Sequence, residues 1–597
     1  MRSIIKNSIF ALVGCAGALA MTGCNDGFMD RFPETSITEK VFFSTPSDLE
    51  TYTNGLYGYL GAGYDDIGTD NMIYGDNTTI YRMMRDEITE RNIGQWSWSD
   101  IRTINFMLAR VGQVKGDAAE IAHWVGLGRM FRAIRYYGKV KSYSDVPWYN
   151  HDLATNETEE LYKTQDPRAL VVDSIMADLE YATQNMKDLT STTVIGRNIA
   201  LAVQARIALH EGTFRKYHPE LGLSDGDRFL TIAANACRKI MDSGRFSISK
   251  EIYQGCGPYL SLFCNENLTA NPEMVMVSDY DYTLGRKHNA HANFDYNFGL
   301  TRSLMEDYLC IKDGKAVPYH TIDGAETKTF PEIFENRDPR MAQTFMAPGY
   351  VDAGKNEAHR VKQNLGGYAM IKFRPLVYEQ CSWGESAQDL PVIRYAEVLL
   401  MYAEAKAELG TLTQDDVDQT VNAIRDRVGM PHASLAEWLA NVDPVQDARY
   451  SNVSSSQKGA VLEVRRERRI ELVAEGFRYD DLMRWGMGKL FAELNQGAYI
   501  PGPGYYDVTG DGEPDIAFAV TKADADKIPE ADKNKYKLTV YTLEGNTIGL
   551  TEGDHGYIYL VAQKDRFNFR EPKYYYTPLS DQDILINENL KQNPYWK

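Results

Sequence analysis

Three stretches carry side chains of the kinds that do chemistry, and each has a plainer use beside it. The first is RRERRIELVAEGFRYDD, with Arg465, Arg466, Glu467, Arg468, Arg469, Glu471 and Glu475. Acids and bases so close together could move protons. Glu463–Arg466 and Glu475–Arg478 also stand three residues apart, the spacing that pairs charges along an exposed helix face. Arginines there can tie a helix to loops through two-pronged contacts with carboxylates, and this structural use is the one expected. The second stretch is RKHNAHANFDY, with His288 and His291. Two imidazoles three apart can share a metal on a helix, but the Asn-rich surroundings read as loop. No Glu stands at the spacing of a zinc hydrolase, so structural or exposed histidines are expected.

The third stretch runs Asp507-Val-Thr-Gly-Asp-Gly-Glu-Pro-Asp515. Oxygen-bearing side chains fall at alternate positions through Asp507, Asp511 and Asp515, and Gly512 stands sixth, where a sharp turn is needed. That resembles the first part of a calcium loop. The twelfth position is Phe518, so the bidentate Glu is missing, and Pro514 argues against a following helix. A turn rich in Asp without metal is the other reading. No cofactor is required, and a structural calcium on Asp507, Asp511 and Asp515 stays open. No nucleophile elbow, phosphate loop or dinucleotide fingerprint occurs. The paired carboxylates of a glycosidase leave no mark in a sequence, so a helical glycoside hydrolase remains an alternative. A helical-repeat scaffold for protein partners is another.

Seven cysteines are present: Cys15, Cys24, Cys237, Cys256, Cys264, Cys310 and Cys381. There is no CxxC and no His at zinc spacing beside a Cys pair. Cys256 and Cys264 could pair, but free buried thiols are favoured. Residues 1–23 form a targeting segment. Arg2 and Lys6 precede an apolar run over 9–21, which is too short to span a membrane. It ends in Met21-Thr22-Gly23-Cys24, which resembles a bacterial lipobox. The implied chemistry is diacylation of the Cys24 sulfur, cleavage, and acylation of the new amine. Two or more acyl chains hold a protein where one does not. An ordinary signal peptide with a chance Cys is the alternative. Residues 24–45, polar and carrying Pro33, read as a tether.

With 597 residues, 43% hydrophobic and 25% charged, the chain can bury a large core and is globular rather than disordered. A net charge of −19 argues against nucleic acid, whose phosphates need a basic face. The 38 tyrosines and an aromatic content of 11% suit sugar or protein contacts, though any single ring is first of all an ordinary core or rim residue.

Helices must position these groups. Residues 389–409 carry Ala396, Leu399, Leu400, Ala403 and Ala407 on one side, the period of an amphipathic helix. Pro391 sits near its start and Gly410 follows its end. The alanines let a partner helix approach closely. Further helices are expected at 46–61, 117–140, 166–189, 197–214, 227–243 and 413–428, with a long charged one over 457–485. Residues 246–390 and 498–561 are irregular apart from an apolar, strand-like run at 274–277. Long irregular stretches on a rigid scaffold are where binding usually resides.

The runs RYAEVLLMYAEA, NAIRDRVGMP and RRERRIELVAEGFRYDDLMRWG are joined by RMFRAIRYYGKVKSYSDVPW, FENRDPRM and a terminal QNPYW. Together they resemble the SusD/RagB-like outer-membrane lipoproteins of Bacteroidetes over essentially the whole mature chain. The resemblance implies a mostly α protein: a tetratricopeptide-like scaffold of helical pairs with long irregular loop insertions and minor β. It implies a helical-repeat part over 46–250 and a closing part with the ligand loops over 251–597, in one integrated globule. It further implies a cell-surface, lipid-anchored protein that captures oligosaccharides without chemistry and passes them to a SusC-like TonB-dependent transporter. Placed in the matching regions, the stacking residues are Trp96, Trp98, Tyr282, Tyr296 and Trp383, and the polar contacts Asp76, Asn77 and Arg85.

Overall fold

A computed structural model describes residues 42–75, 78–94, 96–291, 298–564 and 567–597. The longest helices described in its first part are α1 (Ser99–Leu108), α2 (Ala118–Tyr143), α3 (Arg168–Asn185), α4 (Arg197–Tyr217) and α5 (Gly226–Asp242). Each packs against the next. Helix α2 starts where the Asp117 side chain accepts from the Glu120 amide at 2.9 Å, which satisfies one of the amides a helix start leaves open. The α4–α5 crossing is set by small residues. A Cβ on Gly212 would stand 2.9 Å from the Gly226 carbonyl oxygen, and one on Gly226 would stand 2.6 Å from that of Gly212. Any side chain there would force the two backbones apart.

The central stretch differs from its one-sided pattern. Its first residues form strand β2 (Leu390–Arg394), antiparallel to β1 (Met274–Ser278), with Val277 opposite Pro391. The helix α6 (Tyr395–Glu408) begins only after it. The residue before Pro391 is steered away from helical backbone, and Val392 and Ile393 suit a strand. Helix α6 then buries almost every residue, against α4, α5 and the charged helix. The run at 413–428 forms as a helix from Gln414 to Asp426 with one wider π turn at Asp418–Asn422.

The charged run is two helices, α7 (Lys458–Glu471) and α8 (Arg478–Arg484). The bend between them holds Ala474 at φ +60° and Gly476 at φ +79°. Helix α7 is not a surface helix, which corrects the expectation of surface pairs. Glu463 does bind Arg466, at 2.7 Å, but both are buried. Glu475 turns instead to Arg394 and Lys372, each at 2.8 Å, and Arg478 to Asp70 at 2.7 Å. The arginines of α7 face inward because each finds a carboxylate on another segment. Arg469 reaches Asp307 at 2.6 Å, Arg468 reaches Asp481 at 2.8 Å and Arg465 reaches Glu408 at 3.0 Å. Glu471 receives Arg394 at 2.6 Å, Arg427 at 2.7 Å and Arg340 at 2.9 Å. A helix that looks amphipathic in charge is thus the axle on which distant segments are hung.

Two cores flank this axle. One joins the helices from Phe43 to Met241 with α6, α7 and the C-terminal residues up to Trp596. The other joins Met72 and Ile73 with the irregular stretches between Tyr259 and Leu560. Those stretches carry small sheets: Ile548–Leu550, Gly556–Leu560 and Gln496–Ile500 form one, and Gly504–Tyr506, Ile516–Ala519 and Thr539–Thr542 another. The architecture is the mostly helical scaffold of paired helices with irregular insertions and minor β that the sequence implied. Among the described residues no helix is long and apolar enough to cross a membrane.

Candidate ligand-binding site

Trp98 stands at the cap position of α1, with Trp96 two residues before it. Both rings are half-buried. They meet edge to face with centroids 5.1 Å apart. Trp96 packs on Tyr143 of α2 at 4.9 Å, and Trp98 on Tyr149 at 5.4 Å and Tyr136 at 5.9 Å. The Lys139 ammonium lies 4.7 Å from the Trp98 centroid. Burial, helped by neighbouring Arg135, brings its pKa down to about 8. Trp98 is therefore a half-packed residue rather than one standing free in a loop.

The two indoles line a cavity of about 450 Å³ together with Tyr149, Tyr162, His151 and Ile586. The volume falls in the range of small-molecule sites. A buried relay holds its walls. Asp178 takes Arg132 in a two-pronged pair at 2.7 and 2.8 Å, and Arg132 donates to the Asn105 side-chain oxygen Oδ1 at 2.9 Å. The Asn105 side-chain nitrogen Nδ2 then donates to the backbone oxygens of Tyr149 at 2.9 Å and His151 at 3.1 Å. The Tyr149 amide donates to the Tyr136 hydroxyl at 2.6 Å. So the loop after α2 is fixed from below by charge-assisted bonds, and the rings it presents are preorganised. The far wall is the C-terminal helix α9 (Asp581–Ile586). It is tied down by Asn587 to the Lys163 carbonyl at 3.0 Å and by Asn589 to that of Tyr162 at 2.7 Å. Flat aromatic faces, an apolar floor and polar groups at the rim (Arg102, His151, Asp583) suit a ring-shaped ligand with hydroxyls at its edge. Two of the apolar lining residues are also open to solvent: Ile586 is 61% exposed and Tyr162 47%.

The other sequence expectations fall elsewhere. Tyr282 and Trp383 sit on two segments stitched together by the His288 amide to the Ser386 carbonyl at 2.9 Å and by Lys287–Glu385 at 2.6 Å. Lys287 lies 4.1 Å from the Tyr282 centroid, and Trp383 is 73% exposed. This platform shares no lining residue with the Trp96–Trp98 cavity. Arg85 grips Glu87 at 2.7 and 3.0 Å. Asp76, Asn77, Tyr296 and Cys24 lie outside the described residues. Sequence reasoning passed over Tyr149, Tyr162, His151 and Ile586. The aromatic PWYNH directly after the α2 signature and the exposed apolar pair in QDILINENL were the signals available.

The two histidines are engaged by backbone and hydroxyl groups. His288 Nε2 meets the Gln388 carbonyl at 2.9 Å, and His291 meets the Cys381 carbonyl at 2.9 Å and the Ser386 hydroxyl. Burial pulls the His288 pKa down to about 4. In the aspartate loop, Asp507 accepts from the amides of Thr509 at 3.0 Å and Gly512 at 2.7 Å, and Asp511 from that of Glu513 at 2.8 Å. Asp515 accepts from the Thr509 amide at 2.8 Å and faces Arg360 at 3.2 Å. These carboxylates hold their own turn and a guanidinium, so as placed they do not make a cation cage. Among the described residues no group of three or more His, Cys, Asp or Glu converges as a metal site would.

A family model described as the SusD family matches residues 272–596. SusD-like protein P2 of Formosa agariphila is 22% identical over 507 residues, covering 79% of this chain and 89% of that protein. A SusD-like protein of Bacteroides ovatus is 26% identical over 204 residues, 32% of this chain and 36% of the relative. Among solved structures, a SusD-like carbohydrate binding protein from Bacteroides fragilis superposes with a TM-score of 0.65 at 20% identity, over 92% of this chain and 100% of the other. A laminarin binding SusD-like protein superposes with a TM-score of 0.52 at 18% identity, over 92% and 100%.

Proposed function

The chain belongs to the SusD family, and from that premise we propose that it is an outer-membrane surface lipoprotein that captures oligosaccharides and hands them to a SusC-like TonB-dependent transporter. The observation that carries the binding half is the Trp96–Trp98 cavity, where indole faces are held open by a buried relay from Asp178 to Tyr149. Sugar rings stack on such faces and release water, while rim groups orient the hydroxyls. The reading is binding without chemistry and without a required cofactor. Solved relatives are described as carbohydrate binding and laminarin binding, which supports the ligand class without naming the glycan. The exposed Ile586 and Tyr162 that line this cavity suit an interface that a second protein covers when the ligand is enclosed, since interface cores are richer in apolar and aromatic residues.

Anchoring and partnership are tested together. Cys24→Ala is expected to leave the protein soluble or unprocessed, because the sulfur is the acyl site. The parent chain, extracted in mild detergent, is expected to bring down a large β-barrel protein in roughly equal amount. A Cys24→Ala variant that stays in carbonate-washed membranes would end the lipoprotein reading. Recovery of the chain alone across several detergents would leave a free-standing surface binder.

A further inference from the structure

Cys256 and Cys264 are both thiols in the structure, and the chain between them is folded back on itself. Gln254 at φ +49° and Gly255 at φ +81° make a tight turn, closed by the Cys256 amide on the Tyr253 carbonyl at 3.0 Å. The Ser261 hydroxyl accepts from the Tyr253 amide at 2.9 Å and donates to the Gly257 carbonyl at 3.0 Å. The short helix Ser261–Cys264 is thereby held against the turn that carries Cys256. The two thiols are hydrogen-bonded to one another.

Their surroundings are unequal. Cys264 is 2% exposed and packed in the second core, whereas Cys256 is half-buried at the edge of that core. The hydrogen bond between them holds the Cys256 thiol below its ordinary pKa and that of Cys264 above it, and burial pushes Cys264 further up. A thiol that solvent reaches and that ionises readily, beside a buried protonated one, is the arrangement of an attacking and a resolving cysteine. The other described cysteines are placed differently. Cys237 and Cys310 are buried, and exposed Cys381 directs its Sγ at the Val377 carbonyl at 3.4 Å.

We propose that Cys256 and Cys264 are a site of thiol–disulfide exchange, with Cys256 attacking and Cys264 resolving, toward a small or protein disulfide as oxidant. The Cys256 thiolate bonds to one sulfur of the oxidant, and the other sulfur leaves as a thiolate. Cys264 then loses its proton and attacks the Cys256 sulfur, which expels the oxidant's remaining thiolate. The cysteine pair gives up two electrons and two protons, and the oxidant's disulfide becomes two thiols. The product is a bridge across the segment that carries Tyr259. The Tyr259 hydroxyl donates to the Glu471 carbonyl at 2.6 Å and accepts from Lys372 at 2.9 Å, so the bridge locks a support of the α7 axle.

The test is a thiol count on the mature chain carrying Cys24→Ala and Cys381→Ser, which removes the exposed thiol. The folded, reduced chain is incubated with oxidised glutathione, quenched in acid, unfolded and alkylated with a maleimide. Before oxidation all four remaining cysteines are expected to take the label, and afterwards only Cys237 and Cys310. The oxidised chain is expected to be lighter by two hydrogens, to carry no glutathione, and to yield a non-reducing digest that joins the Cys256 and Cys264 peptides. Adding Cys264→Ser is expected to stop the reaction at a glutathione adduct on Cys256, and adding Cys256→Ser to leave Cys264 unmodified. With Cys381 restored, the digest is expected to join the same pair. Full labelling after oxidation, glutathione retained on Cys256 while Cys264 is present, or a bridge that uses Cys381 overturns the inference. None of these outcomes depends on sugar binding.

Discussion

Replacing Glu471 with alanine is expected to cost the fold about 3–5 kcal/mol, because it takes from three buried guanidiniums a carboxylate they share and leaves Arg394 only Glu475 and Glu273, Arg427 only Glu273, and Arg340 only Asp338 and Glu467. Folded domains stand only about 5–15 kcal/mol above their unfolded chains, so much of the chain's stability is at stake. Burial alone would raise the Glu471 pKa, but Arg427, Arg394 and Arg340 overcome this and hold it well below the usual carboxylate range. Glu211, likewise buried but clasped by Arg168 and Arg215, is held down at about 2. Carboxylates with lowered folded-state pKa stabilise above their unfolded value and lose that contribution as pH falls through the folded one. Stability is therefore expected to decline from about pH 4.5 towards pH 2 in the parent, and less steeply in Glu471→Ala. The control is Asp242→Ala, which breaks the Arg238–Asp242 pair at the surface. Water and salt screen such a pair, so its unfolding midpoint is expected to stay close to the parent's. Urea unfolding of the three proteins reads the difference. If Glu471→Ala and Asp242→Ala share one midpoint, the buried axle does not hold the fold.

The second large effect is on binding. Trp98→Ala is expected to weaken oligosaccharide binding at the aromatic cavity by about 1 kcal/mol or more, beyond the loss of buried area, which is about fivefold or more in Kd. The ring also packs on Tyr136 and Tyr149, so some stability goes with it. The core beneath, from Asp178 to Asn105, does not depend on it. Helical circular dichroism is expected to persist. A folded variant with parental affinity would place the sugar elsewhere, and a variant that cannot fold would make Trp98 a core residue.

Much of the scaffold was readable because helix periodicity and small residues act locally. The alanines of α6 announce close packing in the sequence itself. The strand before α6 was harder, since Leu390 to Ile393 continue the apolar pattern, the local hints from Pro391, Val392 and Ile393 are weak, and the strand that pairs with them lies more than a hundred residues away. The fate of the α7 arginines was invisible for the same reason. Arg469 finds Asp70 and Asp307, and Arg394 finds Glu471, across long separations that no local spacing encodes. At the candidate site, Trp96 and Trp98 stood out as a pair of large rings in a short polar stretch. Tyr149 joins them through the Asn105 relay, and Ile586 only because the C-terminus folds back over the first helices. Tyr282 and Trp383 were placed beside them by the regions in which the resemblance puts ligand loops, and the structure sets these two on a separate platform.

The central claim is capture of an oligosaccharide without chemistry. The measurement that reaches it most directly is titration of the pure mature chain with defined oligosaccharides, followed by chromatography of the same mixture after prolonged incubation. The account predicts saturable binding that Trp98→Ala weakens, and recovery of the sugar at its original length. Shortened products from a homogeneous preparation, or no saturable binding to any glycan, would contradict it.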